Sequence, residues 1–327
     1  MKKKIFVSML MSILLCILSI PSPASAYTAN ITVAKDGSGN YKTVQAALDS
    51  IPANNTSRKI IYIKNGTYKE KVRVTKPYVS LIGQDKNKTI ITYNDHVDTS
   101  KPSSYNLETP TVIIKAKDFS AENINFVNTS GQIERANAIK VQSDRASFYN
   151  CIIFGGQDTL LLNNSGERAY FSKCTISGDV DFIYGAMIAA FDSCIINSND
   201  KTGYITAAST PQQQKYGFLF VNCNLTRDSS VTTGGVYLGR PWRPYASVVY
   251  KNCTMDAHIN LTGWNNWGNS ANEATARYME YGSSGTGWNA SKRVKWAKTL
   301  SAKEAENYTV NNYMKGTDNW NPTKKPY

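Results

Sequence analysis

Two aspartates recur at the same distance from two cysteines and are candidates for paired carboxylate chemistry. Asp158 lies seven residues after Cys151, and Asp181 lies seven residues after Cys174. If the cysteines mark equivalent positions on adjacent structural units, the two carboxylates stack about 4.8 Å apart at the backbone. Two carboxylates this close do not both ionise freely, so one can act as an acid and the other as a nucleophile. The alternative is a solvated pair without function, but Asp181 stands in an apolar stretch, residues 180–183, where an unpaired charge is costly.

A third candidate is Arg240, in the segment Leu238-Gly239-Arg240-Pro241-Trp242. A planar guanidinium can hold a carboxylate by two hydrogen bonds and keep it ionised. Trp242 stands between prolines and could stack on the apolar face of a sugar ring, although a tryptophan in such a setting is more often simple packing.

The sequence offers few residues for other kinds of catalysis. The chain has two histidines, His96 and His258, and contains no Gly-x-Ser-x-Gly sequence, which argues against a Ser-His-Asp hydrolase. Neither histidine has a second histidine or a cysteine at ligand spacing, so no metal site is predicted. Carboxylates are therefore the main candidates.

The elements that would position these carboxylates are indicated by a repeat. A short motif with an aromatic residue three positions before a cysteine occurs five times, with successive cysteines 23, 20, 29 and 30 residues apart. The cysteines are Cys151, Cys174, Cys194, Cys223 and Cys253. The units show β-branched residues and turn residues rather than helical periodicity, so short strands that stack coil on coil are expected. We predict a parallel β-helix whose cysteines form an inward ladder rather than disulfides.

Both ends of this solenoid have predicted covers. Thr43 to Ile51 reads as a short amphipathic capping helix. Strands are expected to follow at Lys59–Ile63, Lys71–Thr75, Val79–Ile82 and Thr89–Thr92. The C-terminal segment holds five of the six tryptophans and a possible helix at Ser301–Asn307, which predicts a tail packed back on the coils.

The first 26 residues read as a signal peptide, with three lysines, an apolar run and a cleavage site after Ala26. A membrane anchor is the less favoured alternative because the run is short. We therefore expect a secreted protein with one domain, residues 27–327. The net charge is +13, or +10 without the three signal lysines, which favours an acidic partner such as an anionic polysaccharide over nucleic acid in an exported protein.

At this point the chain resembles the pectin methylesterase (pectinesterase) family. Several segments match in the same order, and weaker matches extend from Val33–Gly39 to Arg293–Trp296, covering essentially all of residues 27–327. The strong segments are Gly66-Thr67-Tyr68-Lys69-Glu70, Gly156-Gln157-Asp158-Thr159-Leu160, Gly178-Asp179-Val180-Asp181-Phe182-Ile183-Tyr184-Gly185 and Leu238-Gly239-Arg240-Pro241-Trp242. The resemblance implies an all-β, single-stranded, right-handed parallel β-helix.

The resemblance also implies a role for each candidate. Asp181 would attack the C6 ester carbonyl of methylated galacturonate, and Asp158 would protonate departing methanol and then activate water. Gln157 would donate its amide to the oxyanion. Arg240 would orient Asp181, and Trp242 would line a sugar subsite. The implied substrate is methyl-esterified homogalacturonan (pectin), with no cofactor, no nucleic acid, no membrane after signal cleavage, and a monomeric enzyme.

Three departures from the family pattern affect the site. Arg135 stands where a second oxyanion glutamine is usual, so it either serves as a cationic donor that binds substrate or weakens the hole. Gly156 and Leu161 replace aromatic residues beside the ester. Asp179 replaces a small hydroxyl residue and, if close, should raise the pKa of a neighbouring carboxylate.

Rival functions remain open from the residues alone. A retaining glycosidase also uses two carboxylates about 5 Å apart, but it would give Gln157 little purpose. A β-helical polysaccharide lyase would need calcium ligands and a basic proton abstractor, which the sequence does not clearly offer. A catalytically impaired pectin-binding protein is the alternative suggested by Arg135 and Gly156.

Overall fold

The computed structural model describes residues 27–131 and 134–327. The predicted signal peptide, residues 1–26, lies outside the described residues. Within them, no helix is long and apolar enough to cross a membrane.

Three parallel sheets, named here A, B and C, run along the molecule, with 11, 8 and 7 strands in the described residues. Sheet A contains β1 (Ile31–Val33), β2 (Lys59–Ile63), β5 (Val79–Gly83), β8 (Ser120–Glu122), β11 (Ala146–Tyr149), β14 (Arg168–Ser172), β17 (Ile188–Asp192), β20 (Phe218–Val221), β23 (Ser247–Lys251), β25 (Arg277–Tyr281) and β26 (Lys298–Thr299). Sheet B contains β3 (Gly66–Lys69), β6 (Thr89–Tyr93), β9 (Asn125–Asn128), β12 (Ile152–Phe154), β15 (Thr175–Gly178), β18 (Ile195–Ser198), β21 (Asn224–Arg227) and β24 (Thr254–Met255). Sheet C contains β4 (Val72–Val74), β7 (Val112–Ile114), β10 (Ile139–Val141), β13 (Leu160–Leu162), β16 (Val180–Gly185), β19 (Gly203–Ala208) and β22 (Val236–Pro241).

The chain visits the sheets in the order A, B, C and then pairs in parallel with the strand one coil earlier. For example, β14, β15 and β16 follow one another along the chain, and they pair with β11, β12 and β13 of the previous coil. This arrangement confirms the predicted parallel β-helix. The four strands predicted near the N-terminus are all present, with small differences at their ends.

The repeated cysteine motif has a direct structural cause at the corner between sheets A and B. The residue before each of the five cysteines has a left-handed backbone, with φ between 49° and 54°. Asparagine tolerates this conformation better than most residues, and three of these five positions are asparagine. Each cysteine then turns inward, and all five are buried and free, as the ladder prediction required.

Aromatic rings three positions before the cysteines stack on one another inside the solenoid. The ring centroids of Phe148, Phe171, Phe191, Phe220 and Tyr250 are 4.4 to 4.8 Å apart from one coil to the next, and their planes are within 10° of parallel. This spacing is close to the separation of neighbouring strands, so each coil adds one ring to a continuous stack in the core.

Helix α1 (Val44–Asp49) lies near the first coils. Its N-cap is Thr43, and the Glu70 carboxylate accepts hydrogen bonds of 2.9 Å from the backbone N–H groups of Val44 and Gln45. Val44, Ala47 and Leu48 are buried in the main core. The other helices are α2 (Ser103–Leu107), α3 (Ala302–Ala305) and α4 (Val310–Met314), with 3-10 turns at Ser270–Ala274 and Ala290–Lys292.

The C-terminal segment packs against the outer face of sheet A. Tyr313 and Met314 of α4 join Tyr170, Ala190 and Leu219 in a second apolar cluster. Helix α3 begins at Ser301 with a complete capping box, close to the predicted start of this helix. The tail thereby covers sheet A, whereas the strands of the candidate site belong to sheet C.

Candidate active site

Asp158 and Asp181 lie on adjacent coils at the entrance to sheet C. Asp158 precedes β13, Asp181 is the second residue of β16, and the Asp158 backbone N–H donates to the Val180 carbonyl at 3.0 Å. Both aspartates have left-handed backbones, with φ of 64° and 52°. A non-glycine residue in this region is strained and is often found at functional positions. The pairing register of β16 with β19 also shifts between Val180 and Ile183, which marks a bulge at Asp181.

The two carboxylates open into one cavity of about 250 Å³ on the outer face of sheet C. The cavity is lined by Arg135, Gln157, Asp158, Asp181, Tyr184, Ala207, Arg240, Trp242 and Trp267. All six site residues predicted from the sequence are in this set. A larger cavity, about 740 Å³, lies beneath the C-terminal tail, but its buried Arg168 is already paired with Asp144 and Asp318.

Arg240 binds Asp181 through two parallel hydrogen bonds. Its Nε and Nη2 atoms lie 2.8 and 2.7 Å from the two carboxylate oxygens. The guanidinium is held between two aromatic rings, 3.9 Å from the Tyr204 centroid and 3.8 Å from the Trp267 centroid. This clamp fixes the plane of the guanidinium and therefore the orientation of the Asp181 carboxylate.

Close packing of the backbone beside Arg240 requires a residue without a side chain. A Cβ on Gly239 would lie 2.0 Å from Thr206 Oγ1, so Gly239 lets β22 approach β19 closely. Ala207, which lies between Tyr184 and Arg240 in the sheet register, is small enough for Arg240 to reach back to Asp181.

Asp158 is suited to hold a proton. Burial and the neighbouring Asp181 charge raise the pKa of Asp158 to about 7, although Arg135 and Arg240 act to lower it. A carboxyl group with a pKa near neutrality can donate a proton and later accept one. The predicted division of an adjacent carboxylate pair therefore has a physical basis at Asp158.

Asp181 is in a different environment. Burial raises its pKa above the usual value for aspartate, and the hydrogen bonds and charge of Arg240 oppose that rise. Its side chain is 7% exposed, and both oxygens are engaged by the guanidinium. We therefore assign the shared proton to Asp158 and the negative charge to Asp181.

The remaining predicted residues surround this pair. Gln157 lines the cavity directly beside Asp158, and Arg135 faces Asp158 closely enough to lower its pKa. Trp242 is 37% exposed, and its ring centroid lies 5.8 Å from that of Tyr184. An exposed indole at the cavity edge is available for stacking on a sugar.

Asp179 lies outside the residues that line the cavity. It is 4% exposed, and its carboxylate accepts a hydrogen bond from the Val180 backbone N–H. Asp179 contributes a smaller part of the rise in the pKa of Asp158, in the direction expected from the sequence.

Three residues that the sequence reasoning did not single out complete the site. Trp267 and Tyr204 clamp Arg240, and Asn137 donates through Nδ2 to the Asp158 carbonyl at 2.5 Å. Asn137 lies two residues after Arg135 in the segment before β10, where no strand alternation indicates the direction of its side chain. Trp267 lies in a loop without repeat pattern, so the sequence gave no signal for it.

Residues 30–317 match the pectinesterase family. The chain belongs to the pectinesterase family. It is 38% identical over 303 residues to pectinesterase 31 of Arabidopsis thaliana, covering 88% of this chain and 93% of that relative.

Solved pectin methylesterase structures are also similar to this one. The carrot pectin methylesterase aligns with a TM-score of 0.83 and 31% identity, covering 90% of this chain and 96% of that chain. A pectin methylesterase in complex with a hexasaccharide aligns with a TM-score of 0.80 and 31% identity, covering 91% and 100%. The resemblance predicted from the sequence is confirmed, and with it the assignment as a pectinesterase, a carboxylic ester hydrolase that de-esterifies pectin.

Proposed function

We propose that this pectinesterase hydrolyses methyl esters of galacturonate units in pectin by nucleophilic attack of Asp181, with Asp158 as the acid and then the base. The observation that carries the proposal is the difference between the surroundings of two neighbouring carboxylates. Asp181 is bound by Arg240 through both oxygens, whereas burial beside this charge raises the pKa of Asp158 to about 7. One group is thereby ionised while the other holds a proton.

In the first half of the reaction, an Asp181 oxygen attacks the C6 carbonyl carbon of the ester. The carbonyl π electrons move to oxygen and give a tetrahedral oxyanion. When this intermediate collapses, the bond to the methoxy oxygen breaks and Asp158 transfers its proton to that oxygen, so methanol leaves. The product is an anhydride between Asp181 and galacturonate, and Asp158 is now ionised.

In the second half, the ionised Asp158 takes a proton from water, and the resulting hydroxide adds to the same carbonyl carbon. Collapse of the second tetrahedral intermediate breaks the anhydride bond, restores the Asp181 carboxylate and releases galacturonic acid, which gives its proton to water and becomes galacturonate. Asp158 ends protonated, as it began. The acid of the first step is thus the base of the second.

The oxyanion needs a hydrogen-bond donor close to the two aspartates. Gln157 is adjacent to Asp158 in the chain and lines the same cavity. Its side-chain amide would hydrogen bond the developing charge, an interaction that commonly accounts for a factor of about 10²–10³ in rate. Arg135 lines the same cavity and would add a positive charge there, in place of the usual second amide.

The competing chemistries predict different products, so they can be separated in one assay. A pectin methylesterase in complex with a hexasaccharide is among the similar structures, which supports a polymeric substrate. Purified residues 27–327 should be incubated with highly methylated pectin while methanol, new reducing ends and unsaturated products are measured. We expect methanol alone, and loss of methanol in Asp158→Ala and Asp181→Ala.

Other outcomes of that assay would overturn the proposal. New reducing ends would indicate a glycosidase, and unsaturated products would indicate a lyase. Pectin binding without any product would indicate an impaired binding protein, with Arg135 and Gly156 as the first positions to restore to glutamine and an aromatic residue. Methanol release that survives in either alanine variant would remove that aspartate from its role.

We also propose that the enzyme is secreted after cleavage behind Ala26, as a single domain of residues 27–327 that acts as a monomer. The proposal is supported by the three lysines, the apolar run and the Ala-Ser-Ala segment of residues 24–26. N-terminal sequencing of the exported protein should begin at Tyr27, and its mass in solution should correspond to one chain. Retention of residues 1–26 in the exported protein would contradict the cleavage.

A further inference from the structure

The larger cavity, about 740 Å³, shares no lining residue with the candidate active site and is here called the tail cavity. One wall consists of the first residues of neighbouring sheet A strands, or of the residues just before them, on β11, β14, β17 and β20. Neighbouring parallel strands are about 4.8 Å apart, so three separations give this wall a length of about 14 Å along the solenoid. A wall of this length can face several units of an extended polysaccharide.

The other side of the tail cavity is formed by residues 312–318, and ion pairs fix this segment to the solenoid. Arg168 lies 2.6 Å from Asp144 and 2.6 Å from Asp318, and Arg145 also pairs with Asp318 at 2.8 Å. Hydrogen bonds from Arg168 and Arg145 hold the pKa of Asp318 well below its usual range. Both carboxylates that line the cavity are therefore already bound by arginine.

Two lysines in the tail cavity have no such partner. Lys215 and Lys315 are exposed, and in the described part of the chain neither forms an ion pair with a carboxylate, Glu167 beside the wall included. Lys215 Nζ lies 5.0 Å from the centroid of the Tyr216 ring, and that ring packs on Tyr313. Aromatic contacts, rather than a carboxylate, hold the Lys215 ammonium group, which leaves its charge available to an anionic ligand.

The charges of the tail cavity match a polymer that the enzyme itself produces. The residues that line the cavity carry a net charge of +2, which is the charge of the two unpaired lysines. Each ester that a pectinesterase hydrolyses leaves one carboxylate on the pectin chain, so a de-esterified stretch is a regular row of negative charges. Lysine binds a carboxylate as a point charge on a flexible stem, so it tolerates small differences in where each sugar lies.

We propose that the tail cavity is a second, non-catalytic binding site for de-esterified stretches of pectin, in which Lys215 and Lys315 bind galacturonate carboxylates. The site holds the enzyme on polymer that has already lost its esters while the active site binds esters that remain. Two sites that engage one polymer raise the apparent affinity through effective concentration, without any change in the chemical step. The inference goes beyond the proposed function and does not depend on the roles of Asp158 and Asp181.

Binding is tested with immobilised polygalacturonate, which is fully de-esterified and therefore not turned over. The wild type is compared with the double variant Lys215→Gln/Lys315→Gln. We expect the Kd of the double variant to be roughly tenfold higher, since two exposed charge contacts are lost. The difference should shrink as salt is added, because exposed charges are screened.

The kinetic test compares initial rates of methanol release from two substrates. On partly de-esterified pectin the double variant should have a KM several-fold higher than that of the wild type, with kcat unchanged. On fully methylated pectin both constants should equal those of the wild type, because the tail cavity then has no carboxylate to bind. A fall in kcat on fully methylated pectin would overturn the non-catalytic assignment.

The matched control is Lys292→Gln/Lys303→Gln. Both lysines are exposed and lie outside the tail cavity, and their replacement changes the net charge by the same amount. The control should bind polygalacturonate as the wild type does. An equal loss in the control and in the double variant would overturn a defined site, because general attraction by net charge would then explain the binding.

Two further outcomes would overturn the proposal. One is a Lys215→Gln/Lys315→Gln variant that binds polygalacturonate as tightly as the wild type. The other is binding of a DNA oligonucleotide that depends on the two lysines as strongly as binding of polygalacturonate does, which would indicate a surface for any polyanion. None of these results bears on the aspartates, since loss of methanol release in Asp158→Ala and Asp181→Ala is measured separately.

Discussion

Replacing Asp158 with asparagine should make the protein more stable at neutral and alkaline pH while abolishing activity. Burial and the Asp181 charge raise the pKa of Asp158 to about 7, from the 3.8 usual for an aspartate. This rise in the pKa corresponds to about 4 kcal/mol of free energy. This figure is an upper bound, since the folded protein can relax around the charge.

The sign follows from the raised pKa. Between about pH 4 and pH 7 the folded state binds this proton and the unfolded state does not, so the contribution of Asp158 to stability is complete below pH 4 and is lost as the pH rises through 7. Asparagine has nearly the same shape and no charge to bury. We therefore expect Asp158→Asn to raise the free energy of unfolding by about 2–4 kcal/mol at pH 8 and to leave it nearly unchanged at pH 4.

Urea unfolding of the two proteins at pH 4 and pH 8, followed by tryptophan fluorescence, measures this difference. Asp49→Asn is the control, because Asp49 is an exposed residue on α1 and its replacement should not alter the pH dependence. The reasoning is refuted if Asp158→Asn has the same stability as wild type at pH 8. An equal gain at both pH values would also refute it, since the gain would then not depend on ionisation.

Three further results are expected. Arg240→Lys should keep the charge but lose the two-point contact and the stacking between rings, so kcat/KM should fall roughly 10- to 100-fold; an unchanged value would mean that charge alone suffices. Gln157→Met should lower kcat by about 10²–10³ with little change in KM, and a change confined to KM would place Gln157 in substrate binding instead. Thiol titration without reductant should find five reactive cysteines after unfolding and almost none in the native protein, and a smaller number after unfolding would indicate a disulfide.

The parts of the structure that repeat could be predicted from the sequence. Each coil imposes the same requirements at the same corner, namely a residue that tolerates a left-handed backbone, then a small apolar side chain, with a ring three positions before it. Asn150 and Cys151 meet these requirements on one coil, and Lys173 and Cys174 meet them on the next. Because the spacing to the following aspartate is also the same, the pairing of Asp158 with Asp181 could be deduced.

The supports of the site could not be deduced in this way. Trp267 reaches Arg240 from a loop beyond the last strand of sheet C, where no repeat fixes its position. The contact between Asn137 and Tyr184 joins residues 47 positions apart through side chains alone. Contacts of this kind depend on the exact position of each coil along the solenoid axis. That position depends on irregular turns whose lengths differ from coil to coil. The sequence predicted the presence of Arg135 in the site, but its effect on Asp158 required the three-dimensional arrangement.

The solenoid also explains how two equivalent aspartates acquire different roles. Asp158 and Asp181 occupy the same position on adjacent coils, and both have left-handed backbones. Their local backbone conformation therefore does not distinguish them. The difference is introduced two coils later, where β22 supplies Arg240. Because the intervening residue in the register is Ala207, the guanidinium can reach back across β19 to Asp181. Asp158, one coil further away, receives no such contact from Arg240 and is left to hold the proton. A bulky residue at position 207 would stand between Arg240 and Asp181, so the division of roles requires the small side chain there as well as the charge of Arg240.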